Sequence, residues 1–268
     1  MPTFRKLASF FYGHNYQFLN TIFCVMIRAI MATIFLIRHG ENEWVKKGRL
    51  AGWIEGVHLN EKGHQQAKNA AERVAHLPIK TVYSSPVTRC METADYIGNA
   101  LELPVVELPA MGEVRYGDWE GKKISKLAKL KEWEMVQHFP SRFQFPNGES
   151  FREVQARTVD ALELLSRKHP KEMVVVCSHA DIIKLVLAHY LGTHMDLFQR
   201  IIISPASVSV LHLPLGGPMR VGRINDTGRM KIPTPPQESK KKNKKGSKEE
   251  KTIDPSELYA MKVGRAVS

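Results

Sequence analysis

The run Ala32-Thr33-Ile34-Phe35-Leu36-Ile37 is almost unbroken in apolarity and ends in Arg38-His39-Gly40. A strand covered on both faces reads this way, and a sheet that buries such strands is a parallel one with helices on either side. The signature recurs at Met173-Val174-Val175-Val176-Cys177, which runs into Ser178-His179-Ala180-Asp181. Two histidines therefore leave the carboxyl ends of two buried strands, the edge at which an open parallel sheet presents its chemistry.

The remaining pattern agrees with that architecture. Strands are expected near 33–37, 81–84, around Val105, at 173–177 and at 207–213, alternating with helices at 61–76 (after Asn60), 86–101, near 124–138, 150–168 and 181–191. The fold class is α/β, a three-layer α/β/α sandwich with a mainly parallel central sheet. The neighbourhoods of Val82, Val176 and Val208 should form its core. Ser84 and Ser85 are expected to cap a helix opening at Pro86, and Ser150 with Glu153 makes a capping-box pattern beside Glu149. There is no internal repeat, and Phe143 to Gly148 reads as a loop within the domain.

Arg89 falls in the first turn of the helix after Ser84-Ser85-Pro86, where the helix dipole already favours anions, so a phosphate site is indicated. With this arrangement in view, the chain resembles the histidine phosphatase superfamily, the group that holds the cofactor-dependent phosphoglycerate mutases and alpha-ribazole phosphatase-like enzymes. The matching stretches are Leu36 to Trp44 (LIRHGENEW), Leu59 to Gln66 (LNEKGHQQ), Ser84 to Ala94 (SSPVTRCMETA), Glu113 to Gly121 (EVRYGDWEG), Asn147 to Ser150 (NGES) and Ser178 to Lys184 (SHADIIK). They span roughly residues 32 to 213 in the family's order.

A phosphomonoester carries nearly two negative charges, so its nucleophile must be uncharged or its site strongly positive, and a neutral imidazole qualifies. The resemblance implies that His39 is the nucleophile and forms a phosphohistidine that water hydrolyses. It also implies that Arg38 and Arg89 hold the phosphoryl oxygens, that His179 is a further positive contact, and that Glu113 is general acid and, in reverse, general base. Neither a metal nor a cofactor is required by this chemistry. Asp118 and Glu120 lie close to Glu113 in sequence, and Asp181 is either a helix-start carboxylate or a substrate contact. The rival phosphoryl-transfer chemistries are excluded: no Cys is followed at the needed spacing by Arg, and there is no Asp-x-Asp pair.

The chain also departs from the family's pattern. Val45 occupies a position, six residues after the nucleophile, where many members carry a phosphate-contacting Asn; Asn42 is the candidate substitute. Ala180 replaces a usual Gly. Phosphoglycerate mutases carry a paired Arg for the substrate carboxylate, which Lys131 to Val136 does not offer, leaving Lys122 and Lys123 as the nearest cations. The expected function is thus a phosphatase acting on a small phosphorylated metabolite. The alternatives are a phosphomutase and a weakly active regulatory or binding protein on the same scaffold. Specificity should reside in loops 44–57 and 122–148, where Trp44, Trp53, Trp119 and Trp133 either line the pocket or pack beneath it.

The 268 residues carry a net charge of +12. Residues 1–30 hold +3 and residues 231–268 +5, so the part between retains +4 and the basicity belongs largely to the ends. Residues 231–268, with Lys240 to Lys248 at their centre, lack any apolar period and are expected to be a solvated tail. Having only Tyr259 for stacking, they do not suggest specific nucleic-acid recognition. In residues 1–30 an apolar stretch is broken by Asn20 and Arg28 and merges with the first strand, so no membrane span is expected. Translation is expected to start at Met26 or Met31, with a targeting peptide as the alternative reading. The domain is placed at 31–230. Three cysteines without Cys-x-x-Cys spacing point to a reducing compartment, hence a cytoplasmic location.

Overall fold

The computed structural model describes residues 31–215 and 217–228. The expectations for residues 1–30 and for the Lys-rich tail lie outside them. Strand β1 (Met31–Arg38) pairs in parallel with β4 (Met173–Ser178), β4 with β2 (Ile79–Ser84), and β2 with the short β3 (Val105–Glu107). On its other side β1 meets β5 (Val208–Pro214) antiparallel, and β5 meets β6 (Arg220–Asp226) antiparallel. The order is β3-β2-β4-β1-β5-β6, parallel through four neighbouring strands.

Because strand side chains alternate in direction, each buried strand feeds two cores. Ile34, Leu36, Val174 and Val176 pack with Phe151 and Leu162 of one helix and Ile182 and Val186 of another. Ile37, Val175, Cys177 and Val82 point the other way, against Ala70, Val74, Ala94 and Ile97. The helices are α1 (Glu43–Lys46), α2 (Glu61–Val74), α3 (Thr88–Leu101), α4 (Ile124–Leu127), α5 (Lys131–His138), α6 (Phe151–Lys168) and α7 (Ala180–Tyr190). Helices α2 and α3 cover one face and α6 and α7 the other, which makes the three layers.

Local rules set most helix starts. Asn60 accepts the Gly63 amide at the head of α2, and Ser150 with Glu153 forms a complete capping box on α6. Helix α3 differs from expectation: it starts at Thr88, and Val87 caps it without a side-chain bond. Ser84 Oγ donates to the Ser85 carbonyl, while Ser85 Oγ accepts the Val87 amide at 3.3 Å, as a cap would, and also bonds His179. The segment near 124–138 divides into α4 and α5. The 3₁₀ turns, one α-helix and one strand have no counterpart in the sequence reading. Helix α1 is a single turn capped by Asn42. Strand β6 is a polar edge whose Arg220 and Arg223 are exposed, as edge strands that avoid further pairing are. Among the described residues no helix is long and apolar enough to cross a membrane.

Candidate active site

The register between β1 and β4 sets Arg38 opposite Ser178, and the His39 amide donates to the Ser178 carbonyl at 2.9 Å. The two histidines therefore emerge side by side, their ring centroids 5.3 Å apart at 63°. Gly40 is required where it stands, because a Cβ there would lie 2.5 Å from the carbonyl oxygen of Gly63 in the first turn of α2. The glycines of two separate sequence motifs thus touch backbone to backbone, bringing the His39 loop down onto α2.

His39 Nδ1 is 2.7 Å from the Gly40 carbonyl, and Arg89 Nε donates to His39 Nε2 at 3.3 Å. A carbonyl can only accept and a guanidinium can only donate, so the proton sits on Nδ1 and the lone pair on Nε2. Burial, followed by the charges of Arg89 and Arg38, holds the imidazole well below its usual pKa. The ring is a neutral base whose free electron pair is Nε2.

Arg89, only 1 % exposed, organises the centre. Its Nη2 donates to the Gly52 carbonyl and to His179 Nδ1, each at 3.0 Å, and lies 3.6 Å from Glu113 Oε2. With Arg89 donating to Nδ1, the proton of His179 sits on Nε2 and is donated to Ser85 Oγ at 2.8 Å. Burial and the Arg89 charge also hold the His179 pKa well below its usual value, which favours a neutral ring over the positive contact expected. A bound phosphoryl dianion is the charge that would favour its protonation.

Glu113 follows a 3₁₀ turn at Pro109–Met111. Its carbonyl accepts from Trp53 Nε1 at 2.7 Å and Arg157 Nη2 at 3.1 Å, while Arg157 is paired with Glu149 at 2.9 Å. Glu113 Oε2 lies 3.4 Å from His179 Nδ1. Burial raises its pKa to about 7 against the opposing pull of Arg89, and the Asp181 carboxylate adds to the rise. Asp181 accepts from the Tyr116 hydroxyl and from Lys184, each at 3.1 Å.

Arg38, His39, Arg89 and Glu113 line one cavity of about 170 Å³, with Val45, Arg49, Tyr116 and Asp181 also in its wall. Arg38 Nη1 donates to the Ile203 carbonyl at 2.7 Å. Arg38 Nε and Arg89 Nη1 are buried with no hydrogen-bond partner. Asn42 is not in the cavity wall: its Oδ1 caps α1, and its buried Nδ2 has no partner. Lys122 and Lys123 are exposed and stand outside the wall. Cys90 lies 3.4 Å from His179 Nε2, but burial pushes its thiol up to about 12, so it is no thiolate nucleophile. Among the described residues no group of three His, Cys, Asp or Glu is arranged to hold a metal ion.

Arg157, Ser85 and Tyr116 were not singled out as site residues from the sequence, and Trp53 was named only among four tryptophans lining the pocket or packing beneath it. A mid-helix Arg and a loop Trp carry no local signal, and their contacts to Glu113 lie more than forty residues away along the chain. Glu149 reaches the site by pairing with Arg157.

Residues 34–227 match the family described as Histidine phosphatase superfamily (branch 1). Phosphoserine phosphatase 1 of Hydrogenobacter thermophilus is 30% identical over 185 residues, 68% of this chain and 87% of that protein. A 2,3-bisphosphoglycerate-dependent phosphoglycerate mutase of Thermoplasma acidophilum is 28% identical over 198 residues, 74% of this chain and 95% of that protein. Among solved structures, YhfR of Bacillus stearothermophilus superposes with a TM-score of 0.68 at 26% identity, covering 73% of this chain and 97% of that one.

Proposed function

Since the chain belongs to the histidine phosphatase superfamily, we propose that it hydrolyses a small phosphomonoester by way of a phosphohistidine on His39. One observation carries the reading: a neutral imidazole with a free Nε2 lone pair shares a cavity with two buried guanidiniums that each keep an unpartnered donor. Such donors are costly to bury without a partner, and the oxygens of a phosphoryl group would supply one.

The phosphoryl group displaces the Arg89 contact to Nε2 and is held by Arg38 and Arg89, which stabilise charge on its equatorial oxygens. His39 Nε2 attacks phosphorus as the ester P–O bond breaks, and the proton of Glu113 passes to the departing alkoxide. Water then adds to phosphorus, gives its proton to Glu113, and the N–P bond breaks. Near neutral pH Glu113 is divided between its two forms, as a group that first gives and then takes a proton needs to be. Ser85 and Trp53 act by positioning His179 and Glu113.

The mutase relative favours a second reading, in which the phosphoryl group returns to substrate. Against it stands α5, which offers Lys131 exposed and Trp133 packed on Trp119 where a mutase needs paired cations. The test is rapid quench during turnover of a phosphomonoester, followed by peptide mapping. An acid-labile, base-stable phosphoryl label should appear on His39 and vanish in His39→Ala. Label on His179, or full turnover by His39→Ala, overturns the assignment.

A further inference from the structure

Leu50, Tyr116, Ile124 and Asp181 line the phosphate cavity and also a second chamber of about 240 Å³. The two cavities therefore adjoin along these four side chains. Trp119, Trp133, Phe145 and Phe151 add aromatic wall to the second chamber, beside Val136, Gln137 and Gln199. Trp119 and Trp133 stack at 6.1 Å and 22°, and Phe145 meets both Trp119 and Tyr116 edge-on, at 5.4 and 5.1 Å. Its one cation among the described residues is Lys184, whose ammonium is already bonded to Asp181 at 3.1 Å and to Gln199 at 3.0 Å.

An ester seated with its phosphoryl group on Arg38 and Arg89 directs its alcohol oxygen at Glu113, the acid that must protonate it. Tyr116, three residues further along the same loop, belongs to the shared boundary. The general acid and the boundary with the aromatic chamber thus lie on one loop, both in the wall of the phosphate cavity. The two cavities together reach the lower end of the roughly 300–1,000 Å³ usual for small-molecule sites. Flat rings gain contact against stacked and edge-on aromatic walls, whereas a carboxylate meets an ammonium already neutralised.

We propose that the aromatic chamber is the leaving-group subsite, so that the substrates are monoesters of flat apolar alcohols, aryl or arylalkyl, in preference to carboxylate-bearing ones. The proposal rests on the phosphatase reading. The test compares ethyl phosphate, 2-phenylethyl phosphate and O-phosphoserine with the full chain. The first two esters release alcohols of similar acidity, so a difference between them reports the subsite and not the ease of departure. Expected is a kcat/KM for 2-phenylethyl phosphate about tenfold or more above either of the others. Gln137→Trp, at a half-buried position in the chamber wall, should fill the space and collapse that ratio. Trp133→Ala, which removes one face of the stack, should lower it as well.

Direct binding gives an independent reading, since 2-phenylethylphosphonate, which cannot be hydrolysed, should bind about tenfold more tightly than ethylphosphonate. Turnover with O-phosphoserine preferred, equal ethyl and phenylethyl rates, or ratios unmoved in both variants overturn the subsite and leave the phosphatase standing. Absence of turnover for every ester, with the phosphonate difference intact, overturns the phosphatase reading and leaves the subsite.

Discussion

Replacing Glu113 by Gln should remove activity and add stability, each with its own pH dependence. In the folded protein the carboxyl is raised from the ordinary 4.5 to about 7, chiefly by burial. A carboxyl whose folded pKa lies above its unfolded value penalises the native state as pH climbs through that interval. The penalty is absent near pH 4, grows to about pH 7, and is constant above. At 1.36 kcal/mol for each pH step it reaches about 3 kcal/mol at most. Glu113→Gln should therefore raise Tm by about 5–10 °C at pH 8 and leave it nearly unchanged at pH 4. In catalysis the loss should be about 10²- to 10⁴-fold on alkyl esters, whose alkoxides need the proton, and far less on p-nitrophenyl phosphate. The native kcat/KM should rise as the substrate's second phosphate proton leaves, near pH 6 for a typical monoester, and fall through about pH 7 as free Glu113 ionises. His39 stays neutral across this range and adds no limb. The falling limb should be missing in Glu113→Gln. Equal losses on both ester types, or a falling limb that survives the substitution, would refute the acid role.

Arg89→Lys keeps the charge and loses the forked geometry that reaches His39, Gly52 and His179, so kcat/KM should fall on the order of a hundredfold, about 3 kcal/mol; a loss under threefold would contradict its place at the phosphoryl group. Gly40→Ala forces a Cβ against the Gly63 carbonyl and should lower stability by about 2 kcal/mol in thermal or urea unfolding. Phosphate release should exceed interconversion of 3- and 2-phosphoglycerate even when 2,3-bisphosphoglycerate is supplied. Efficient interconversion with little release would establish the mutase.

The layers, the parallel sheet and the strand ends that carry His39 and His179 were legible along the chain. An apolar run buried on both faces has only one class of fold to enter, and a periodicity is a local property. Asn60 and the Ser150–Glu153 box were legible for the same reason, since a cap bonds within three or four residues. Arg38, Arg89 and Glu113 were named from motif resemblance, but the sequence could not say that they line one cavity. Their convergence depends on the β1–β4 register and on the touching backbones of Gly40 and Gly63. The charge states followed from burial and proximity alone: desolvation carried Glu113 up, and the neighbouring guanidiniums helped to hold both histidines neutral. Ser85 read as a helix cap and does accept the Val87 amide, but its bond to His179 came only from the neighbouring strand, which sequence spacing does not show. Trp119 and Trp133 were visible as tryptophans fourteen positions apart, yet which cavity they line was decided only when α5 packed across the loop that follows Glu113. Propensity and patterning act between near neighbours, whereas a site is a set of distances between groups that are remote in sequence, and only the packed sheet and helices set those distances.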